Sequence, residues 1–307
     1  MAGGRSSDIP SLIVAGITFC FNEEAKKDRV KQYEQIVTKI AEEKAVGHYE
    51  SAGDIGIAAL HTEGDEYTFE GIDEAYGTDI TTLTYGKGAY ATRKQMKDDQ
   101  TRTVKNIAQK LVLSAHKKKE QVCADAYNDG FATSMSDGVY VFSNTHPLTN
   151  ATGQYNDNLV TGALTVDNFK AGINQFSLIK DHAGTIYPTK ATHLLANTMQ
   201  QFTIVELLQS SLLAFELSNT VNSLNKVAPL GVILNDYIDH TSKGDSYSPW
   251  FLLDKTLEKA GCYMQYRGGM QLETEINFKT KNWEYTVEEE YAVAFVSPGY
   301  GVIASQG

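Results

Sequence analysis

The segment from Asp137 to Asn150 contains the residues whose types and spacing come closest to a catalytic motif. Ser143 and His146 stand three positions apart, and a serine hydroxyl beside an imidazole suits a nucleophile and its general base. Pro147, however, pushes His146 towards extended backbone, the usual setting of a turn. Catalytic partners are recognised by geometry, and no third group is identifiable. A hydrolase that uses Ser143 and His146 therefore stays only as an alternative.

The histidines and carboxylates do not form a metal-ligating pattern. None of the seven histidines stands three or four residues from another, so HExxH-type spacing is absent. Asp236, Asp239 and His240 form the nearest cluster, but they precede a turn rich in Ser, Gly and Asp, where a solvated turn is the simpler interpretation. The chain also lacks a GxSxG elbow, a P-loop and a dinucleotide fingerprint. We expect no catalytic residue, no cofactor and no metal ion.

Composition indicates a folded chain without a membrane span. The 307 residues are 42% apolar, enough for an extensive core, yet no window approaches the roughly 18 uninterrupted apolar residues of a spanning helix. We expect neither an anchor nor a signal peptide. Cys20, Cys123 and Cys262 are far apart, which predicts buried free thiols in a reducing compartment. The net charge of −11 argues against a general nucleic-acid binder, because neutralising phosphates requires a basic face.

Charge is segregated along one part of the chain. Residues 50–79 contain nine acidic residues and no lysine or arginine, whereas residues 87–119 contain ten basic residues and two aspartates. Alternating β-favouring residues between Tyr67 and Tyr90, with several glycines, predict a long twisted hairpin. Solvated surface is one explanation, and head-to-tail pairing between copies is the other. The candidate contact residues are Glu63, Asp65, Glu66, Glu70, Asp73, Glu74, Lys87, Arg93, Lys94 and Lys97.

Two helices are predicted in the first half of the chain. Apolar residues at spacings of three and four predict an amphipathic helix over Glu23–Lys44. Asp98 and Asp99 suit a helix N-terminus, and the apolar stripe that follows predicts a helix to about Asn128, roughly 45 Å long at about 1.5 Å per residue. Gly130 is expected to end it, and Val139–Phe142 is expected to form a short strand.

The second half of the chain alternates helices and strands and then becomes strand-rich. Thr165 is the predicted N-terminal cap of a helix that contains Phe169, Ile173 and Phe176. The pattern indicates an α+β protein whose C-terminal third is antiparallel sheet. The predicted strands are Thr192–Ala196, Leu230–Leu234, Trp250–Leu253, Leu272–Phe278 and Tyr285–Val296, with a further helix over Met199–Leu208.

The order of these segments resembles the tailed-bacteriophage major capsid proteins with the Hong Kong 97-type fold, and most closely the Mu-like major head subunit family. In that family a short strand after a long spine helix ends in a Phe-Ser-x-x-His-Pro motif. Phe142, Ser143, His146 and Pro147 match this motif, and Asp99–Asn128 corresponds to the spine helix. The motif is structural in the family rather than catalytic.

The resemblance implies a domain organisation for the whole chain. It comprises an N-terminal arm, an extended β-hairpin loop, a long spine helix, a peripheral domain and an axial domain. The implied ranges are 1–22 for the N-terminal arm, 23–60 for an N-terminal helix and connection, 61–97 for the extended loop, 98–163 for the peripheral domain with its spine helix, 164–244 for the axial domain and 245–307 for the C-terminal strands of the peripheral domain.

The resemblance also implies a function and partners. It implies a structural protein that assembles with itself into pentamers and hexamers of an icosahedral head shell around double-stranded DNA, which it contacts without sequence specificity. Scaffolding, portal and decoration proteins are the implied further partners, and the implied location is the virion, with assembly in the host cytoplasm. Some relatives cross-link through a lysine of the extended loop, where Lys87 and Lys94 lie, but nothing identifies their partners and no cross-link is expected. An encapsulin-like compartment and a tail structural protein are the remaining alternatives.

Overall fold

The computed structural model describes residues 8–27, 31–52, 57–58, 60–62, 66–67, 69, 71, 74–92, 94–95, 103–210, 224, 230–239, 248–257, 261–297 and 299–307. Its main helices are α1 Asp8–Ala25, α2 Thr103–Asn128, α3 Val166–Phe176 and α4 Gln201–Gln209. Short 3-10 turns occupy Gln32–Gln35, Asp129–Phe131 and Thr198–Gln200. None of the helices in this part of the chain is both long and apolar enough to cross a membrane.

Thirteen strands complete the described secondary structure. They are β1 Thr38–Ala41, β2 Val46–Ala52, β3 Glu74–Thr81, β4 Leu83–Ala91, β5 His146–Pro147, β6 Tyr155–Asn156, β7 Leu159–Val160, β8 His193–Ala196, β9 Gly231–Leu234, β10 Trp250–Leu253, β11 Cys262–Ile276, β12 Trp283–Phe295 and β13 Val302–Ser305. Helices and sheets together give the predicted α+β class.

A four-stranded sheet in the order β1-β11-β12-β4 carries the long helix α2 on one face. The β11–β12 hairpin is its centre, β4 pairs antiparallel with β12, and β1 pairs parallel with β11. The register of β11 shifts between Arg267 and Gln271, where Gly268 has a φ of 73°, a value that favours glycine. Ala108, Leu111 and Val112 of α2 bury their side chains against β12.

A five-stranded sheet in the order β7-β13-β10-β8-β9 forms a second layer, which packs against α3 and α4. The Thr165 hydroxyl caps α3 by accepting a hydrogen bond from the Asn168 N–H at 3.3 Å, which confirms the predicted cap. Phe169 and Phe176 then turn inward against Trp250. The predicted strands over 192–196, 230–234 and 250–253 and the predicted helix over 199–208 are confirmed, with small differences at the ends.

The predicted helix over Glu23–Lys44 is wrong. The structure has α1 up to Ala25, a single 3-10 turn at Gln32–Gln35, and then β1 and β2. Tyr33, Ile36 and Val37 are buried, so the spacing that suggested a helix is satisfied by one turn followed by a strand. Their partners come from α2 and from the sheet strands, which local periodicity does not reveal.

The predicted pairing within the hairpin is also wrong. β3 pairs with β2, not with β4, and β4 joins β12 on the far side of Thr82. The reason is burial: Ala89 and Ala91 of β4 pack in the cluster between α2 and the sheet, whereas most side chains of the β2–β3 hairpin are exposed or half-buried.

One further expectation differs from the structure. Val139–Phe142 is not a strand, since Tyr140 makes only an isolated bridge to Ser134. The antiparallel pairing expected of the C-terminal strands is confirmed, and it is divided between two sheets: β10 pairs with β13 and β8 in the five-stranded sheet, and β11 pairs with β12 in the four-stranded sheet. The three cysteines are free as predicted; Cys123 and Cys262 are buried, but Cys20 is only half-buried.

Candidate assembly surfaces

The Phe-Ser-x-x-His-Pro turn follows the long helix and is anchored in the core. The Phe142 ring lies 5.0 Å from the ring of Phe131, 5.4 Å from that of Phe251 and 5.6 Å from that of Phe295. Gly130 provides the space for it, because a Cβ there would stand 2.4 Å from a carbon of the Phe142 ring. Phe142 therefore fixes the direction in which the chain leaves α2.

His146 is buried and hydrogen-bonded on both sides of its ring. Nδ1 lies 2.6 Å from Oδ2 of Asp137, and Nε2 lies 3.2 Å from the carbonyl oxygen of Val141. Gly299, with a φ of 73°, closes the site against the ring. The histidine holds two ends of the turn together.

Ser143 does not meet His146. Its hydroxyl lies 3.2 Å from that of Thr145 and accepts the Thr145 N–H at 3.3 Å, while the Ser143 N–H donates to Oδ1 of Asn158 at 2.7 Å. The Asp137–His146 contact does resemble the lower half of a catalytic triad. Because Nε2 faces a backbone carbonyl and the ring is 1% exposed, the arrangement lacks a nucleophile and a route for substrate.

The charged residues proposed for contacts are only partly placed. Glu66, Lys87 and Lys94 are exposed. For Glu74 only the backbone is described, at the start of β3. Outside the described residues lie Glu63, Asp65, Glu70, Asp73, Arg93 and Lys97.

The β2–β3 hairpin carries an exposed histidine between two carboxylates. His48 stands directly opposite Asp79, and its Nδ1 contacts the Asp79 carboxylate while its Nε2 lies 2.7 Å from Oε1 of Glu50. These hydrogen bonds, to Asp79 first and to Glu50 second, raise the pKa of His48 above its ordinary value. The cluster joins the two strands at the base of the extended loop.

Exposed apolar side chains near the hairpin tip are a contact feature that the charge pattern did not single out. Tyr67 is 68% exposed and Phe69 is 92% exposed, and Ile57 and Leu60 are also largely exposed. Large apolar groups grouped in one segment indicate a surface that another molecule covers. The alternation of Tyr67 and Phe69 in the sequence was the available signal.

The outer face of the four-stranded sheet is acidic. Direct cross-strand pairing places Glu275 opposite Glu284, Gln271 opposite Glu288 and Arg267 opposite Glu290. Among the described residues of this face, Arg267 compensates the charge of Glu290 through an ion pair 3.0 Å long and partly exposed. The alternation of residue types over Tyr285–Val296 predicts a strand with two different faces. The sequence alone did not show which of the two faces was covered.

No metal-ligating group emerges from the structure. Within the described ranges, no three His, Cys, Asp or Glu side chains converge as ligands. Of the cluster noted in the sequence, Asp236 accepts a hydrogen bond from the Thr198 hydroxyl at 2.5 Å, and His240 lies outside those ranges.

Comparison with known proteins gives one family. A family model described as phage capsid protein matches residues 75–304. No curated protein sequence matches the chain.

Three solved structures illustrate the similarity in fold. The procapsid protein of bacteriophage JBD30 is 15% identical with a TM-score of 0.54, over 98% of this chain and 75% of that chain. The capsid protein of cyanophage Pam1 is 13% identical with a TM-score of 0.60, over 91% of this chain and 93% of that chain. The SrpI encapsulin of Synechococcus elongatus PCC 7942 is 11% identical with a TM-score of 0.54, over 91% of this chain and 87% of that chain. They share the Hong Kong 97-type fold expected from the sequence.

Proposed function

Since the chain belongs to the phage capsid protein family and is a structural subunit of a head shell, we propose that its copies join head to tail through the charged extended loop. The observation that supports this proposal is the separation of charge along the chain, acidic over residues 50–79 and basic over residues 87–119, which run from the end of the loop into α2. Glu66, Lys87 and Lys94 are exposed, and within the described part of the chain none of them is in an ion pair. Complementary charge of this kind steers association and sets register.

Head-to-tail contacts suit a closed shell. The acidic and basic surfaces differ, so the contact is heterologous, and heterologous contacts between identical copies generate rings when the rotation closes. We propose rings of five and six, which curve into an icosahedral head. In this arrangement residues 98–163 form the main body of the peripheral domain, and residues 164–244 form that of the axial domain. The five-stranded sheet joins both ranges to the C-terminal residues.

The remaining partners follow from the chemistry of the shell. The net charge of −11 suits a container for double-stranded DNA that holds it without sequence specificity and without tight adsorption. Scaffolding, portal and decoration proteins are the proposed protein partners, with assembly in the host cytoplasm before the subunit becomes part of the virion. We propose no catalytic activity, because both ring nitrogens of His146 and the Ser143 hydroxyl are engaged within the turn.

The test of head-to-tail joining is negative-stain microscopy of the concentrated protein with a charge-reversal variant. The parent protein forms shells, tubes or rings. The double variant Arg93→Glu with Lys94→Glu is expected to fold, by circular dichroism, but to assemble poorly. The matched control, Lys190→Glu with Lys279→Glu, makes the same charge change at two exposed lysines away from the loop. Equal loss in both variants, or normal particles from the first, contradicts the proposal.

An encapsulin-like compartment is the second candidate, supported by the similarity to the SrpI encapsulin. Particles isolated from cells distinguish the two functions by content. Packaged DNA supports the phage head, whereas an enclosed enzyme without DNA supports the compartment.

A tail structural protein predicts open tubes instead of closed shells. A hydrolase predicts that His146→Ala abolishes turnover in a folded monomer, while the shell function predicts loss of folding or assembly, because that ring is 1% exposed.

A further inference from the structure

A cavity lies between α2 and the four-stranded sheet, at the edge that β4 forms. Its volume is about 230 Å³, it is only partly enclosed, and its walls come from β4, β12 and α2. Among the described strands β4 pairs with β12 alone, so this is an open side of the sheet. Drug-sized ligands occupy cavities of about 300–1,000 Å³, so this one suits a small molecule or an ion.

Hydrogen-bond donors with positive charge stand on two walls of this cavity. Lys87 comes from β4 and Lys118 from α2, and within the described part of the chain neither is in an ion pair. Ser114 adds a hydroxyl from α2. The carboxylate in the wall, that of Glu289, is balanced by Lys119. The charge around the cavity is therefore positive and favours an anion.

Two buried polar atoms of the lining residues have no hydrogen-bond partner among the described residues. They are Oε2 of Glu289 and the hydroxyl of Tyr291, which belong to residues 4% and 1% exposed. Oε1 of Glu289 is already engaged, by Nζ of Lys119 at 2.9 Å and by the Tyr266 hydroxyl at 3.1 Å. Burial raises the pKa of Tyr291, so its hydroxyl keeps its proton and can donate. The cavity thus combines several donors with one acceptor, the carboxylate oxygen Oε2.

We propose that this cavity binds hydrogen phosphate. The phosphate oxygens accept hydrogen bonds from Lys87, Lys118 and the Tyr291 hydroxyl, while the P–OH group donates to Oε2 of Glu289. Sulfate has the same shape but no proton at neutral pH, so it would place an unprotonated oxygen against the carboxylate and leave Oε2 without a donor. The phosphodiesters of nucleic acids also lack a P–OH group at neutral pH, so the same carboxylate disfavours them.

Bound phosphate connects the edge strand to the long helix. Lys87 of β4 and Lys118 of α2 share one anion, which adds a polar link to the apolar packing between these two elements. A ligand that binds the folded chain and not the unfolded chain stabilises the fold by mass action. The inference concerns a single subunit, and it does not rest on the joining of copies.

Isothermal titration calorimetry of the full chain, in a buffer without phosphate, tests the site. At neutral pH inorganic phosphate is expected to bind with a dissociation constant of about 1 mM or lower, and at least about tenfold more tightly than sulfate. The preference follows from the single acceptor in a cavity of donors. Equal affinities for the two ions, or no binding of phosphate, overturn the proposal.

Methyl phosphate separates the role of the P–OH group from that of charge. A phosphate monoester loses its second proton near about pH 6, so at about pH 8 it is a dianion without a P–OH group, whereas inorganic phosphate keeps one. Methyl phosphate should therefore bind at least about fivefold more weakly than phosphate at about pH 8, and within about twofold of it at about pH 5.5. Comparison at one pH cancels the titration of the groups that face the cavity, which are Tyr85, Lys87, Lys118, Glu289 and Tyr291. Equal binding at about pH 8 overturns the proposal.

Substitutions then assign the binding to this cavity. Lys87→Ala, at an exposed position, should weaken phosphate binding at least about fivefold, whereas Lys110→Ala, at an exposed lysine of α2 outside the cavity, should leave it within about twofold. Glu289→Gln should bring the affinities for phosphate and sulfate to within about twofold of each other, because an amide does not require a proton on the ligand. Circular dichroism checks that each variant is folded. Equal losses in the two lysine variants, or an unchanged preference for phosphate in folded Glu289→Gln, overturn the proposal.

Discussion

Alternate residues of β12 lie on opposite faces of the four-stranded sheet and meet opposite conditions. On the face covered by α2, the side chains are buried, and one charge, that of Glu289, is paired with Lys119 at 2.9 Å. On the outer face the side chains are exposed or half-buried, and glutamates predominate. The buried set is Trp283, Tyr285, Val287, Glu289 and Tyr291, and the outer set is Glu284, Thr286, Glu288 and Glu290.

The difference shows how one strand serves two purposes. The inner face stabilises the subunit, so each polar group there needs a partner or costs stability. The outer face is screened by water, so like charges are tolerated there at little cost. Substitutions on the inner face are therefore expected to change the free energy of unfolding strongly, and those on the outer face to change it weakly.

Replacing the most deeply buried tyrosine of the inner face should have the largest effect. Tyr285→Ala removes a ring that is fully buried against α2, and we expect a loss of about 3–5 kcal/mol in the free energy of unfolding, measured by urea denaturation. Tyr285→Phe is the matched control. The Tyr285 hydroxyl is buried with no hydrogen-bond partner among the described residues, and burial raises its pKa to about 12, so losing it should be neutral or stabilising by up to about 1 kcal/mol. A phenylalanine variant as unstable as the alanine variant would contradict this reading of the inner face.

Breaking the buried ion pair should have the next largest effect. Lys119→Met leaves the Glu289 carboxylate buried, with the Tyr266 hydroxyl, 3.1 Å away, as its remaining donor among the described residues, and we expect a loss of about 3 kcal/mol. The double variant Lys119→Met with Glu289→Leu removes both charges and should recover most of that loss. A double variant as unstable as the single one would contradict this explanation, because it would show that the unpaired carboxylate is not the source of the loss.

Reversing a charge on the outer face should have a small effect of opposite sign. Glu275 stands directly opposite Glu284, so Glu275→Lys exchanges a repulsion for an attraction and should raise stability by about 0.2–1 kcal/mol. Glu273→Lys is the control, because Glu273 faces the uncharged Thr286. Thermal unfolding at low salt is the measurement. An equal gain in the control would mean that net charge, and not the cross-strand pair, is responsible.

The smallest effect is expected at the exposed histidine of the hairpin. The raised pKa of His48 means that its proton stabilises the hairpin fully below the unfolded value, near pH 6.5, and that this contribution is lost as the pH rises through the higher folded value. An NMR titration of the His48 ring proton should give the raised pKa, and Asp79→Asn should lower it more than Glu50→Gln does, because Asp79 is the larger cause. Equal values in the parent and in Asp79→Asn would show that the hairpin does not hold this contact in solution.

Part of the candidate site was predictable and part was not. The exposure of Glu66, Lys87 and Lys94 agrees with the separation of charge in the sequence, which predicts solvated surface or contacts between copies. The carboxylate that fixes His146, by contrast, comes from Asp137, nine positions earlier, and no spacing rule joins them.

Local signals in the sequence determined the long helix up to Asn128, the Thr165 cap, strands β8 to β10 and the separation of charge, because each of these depends on neighbours within a few residues. Tertiary structure alone decided that β4 leaves β3 for β12, that Tyr33 lies on a 3-10 turn followed by Ile36 and not on a long helix, and that β13 returns to the second sheet. The physical reason is that strand pairing and burial join residues far apart in the chain. The same alternating segment satisfies its backbone with any free edge, and only the packed fold determines which edge is available.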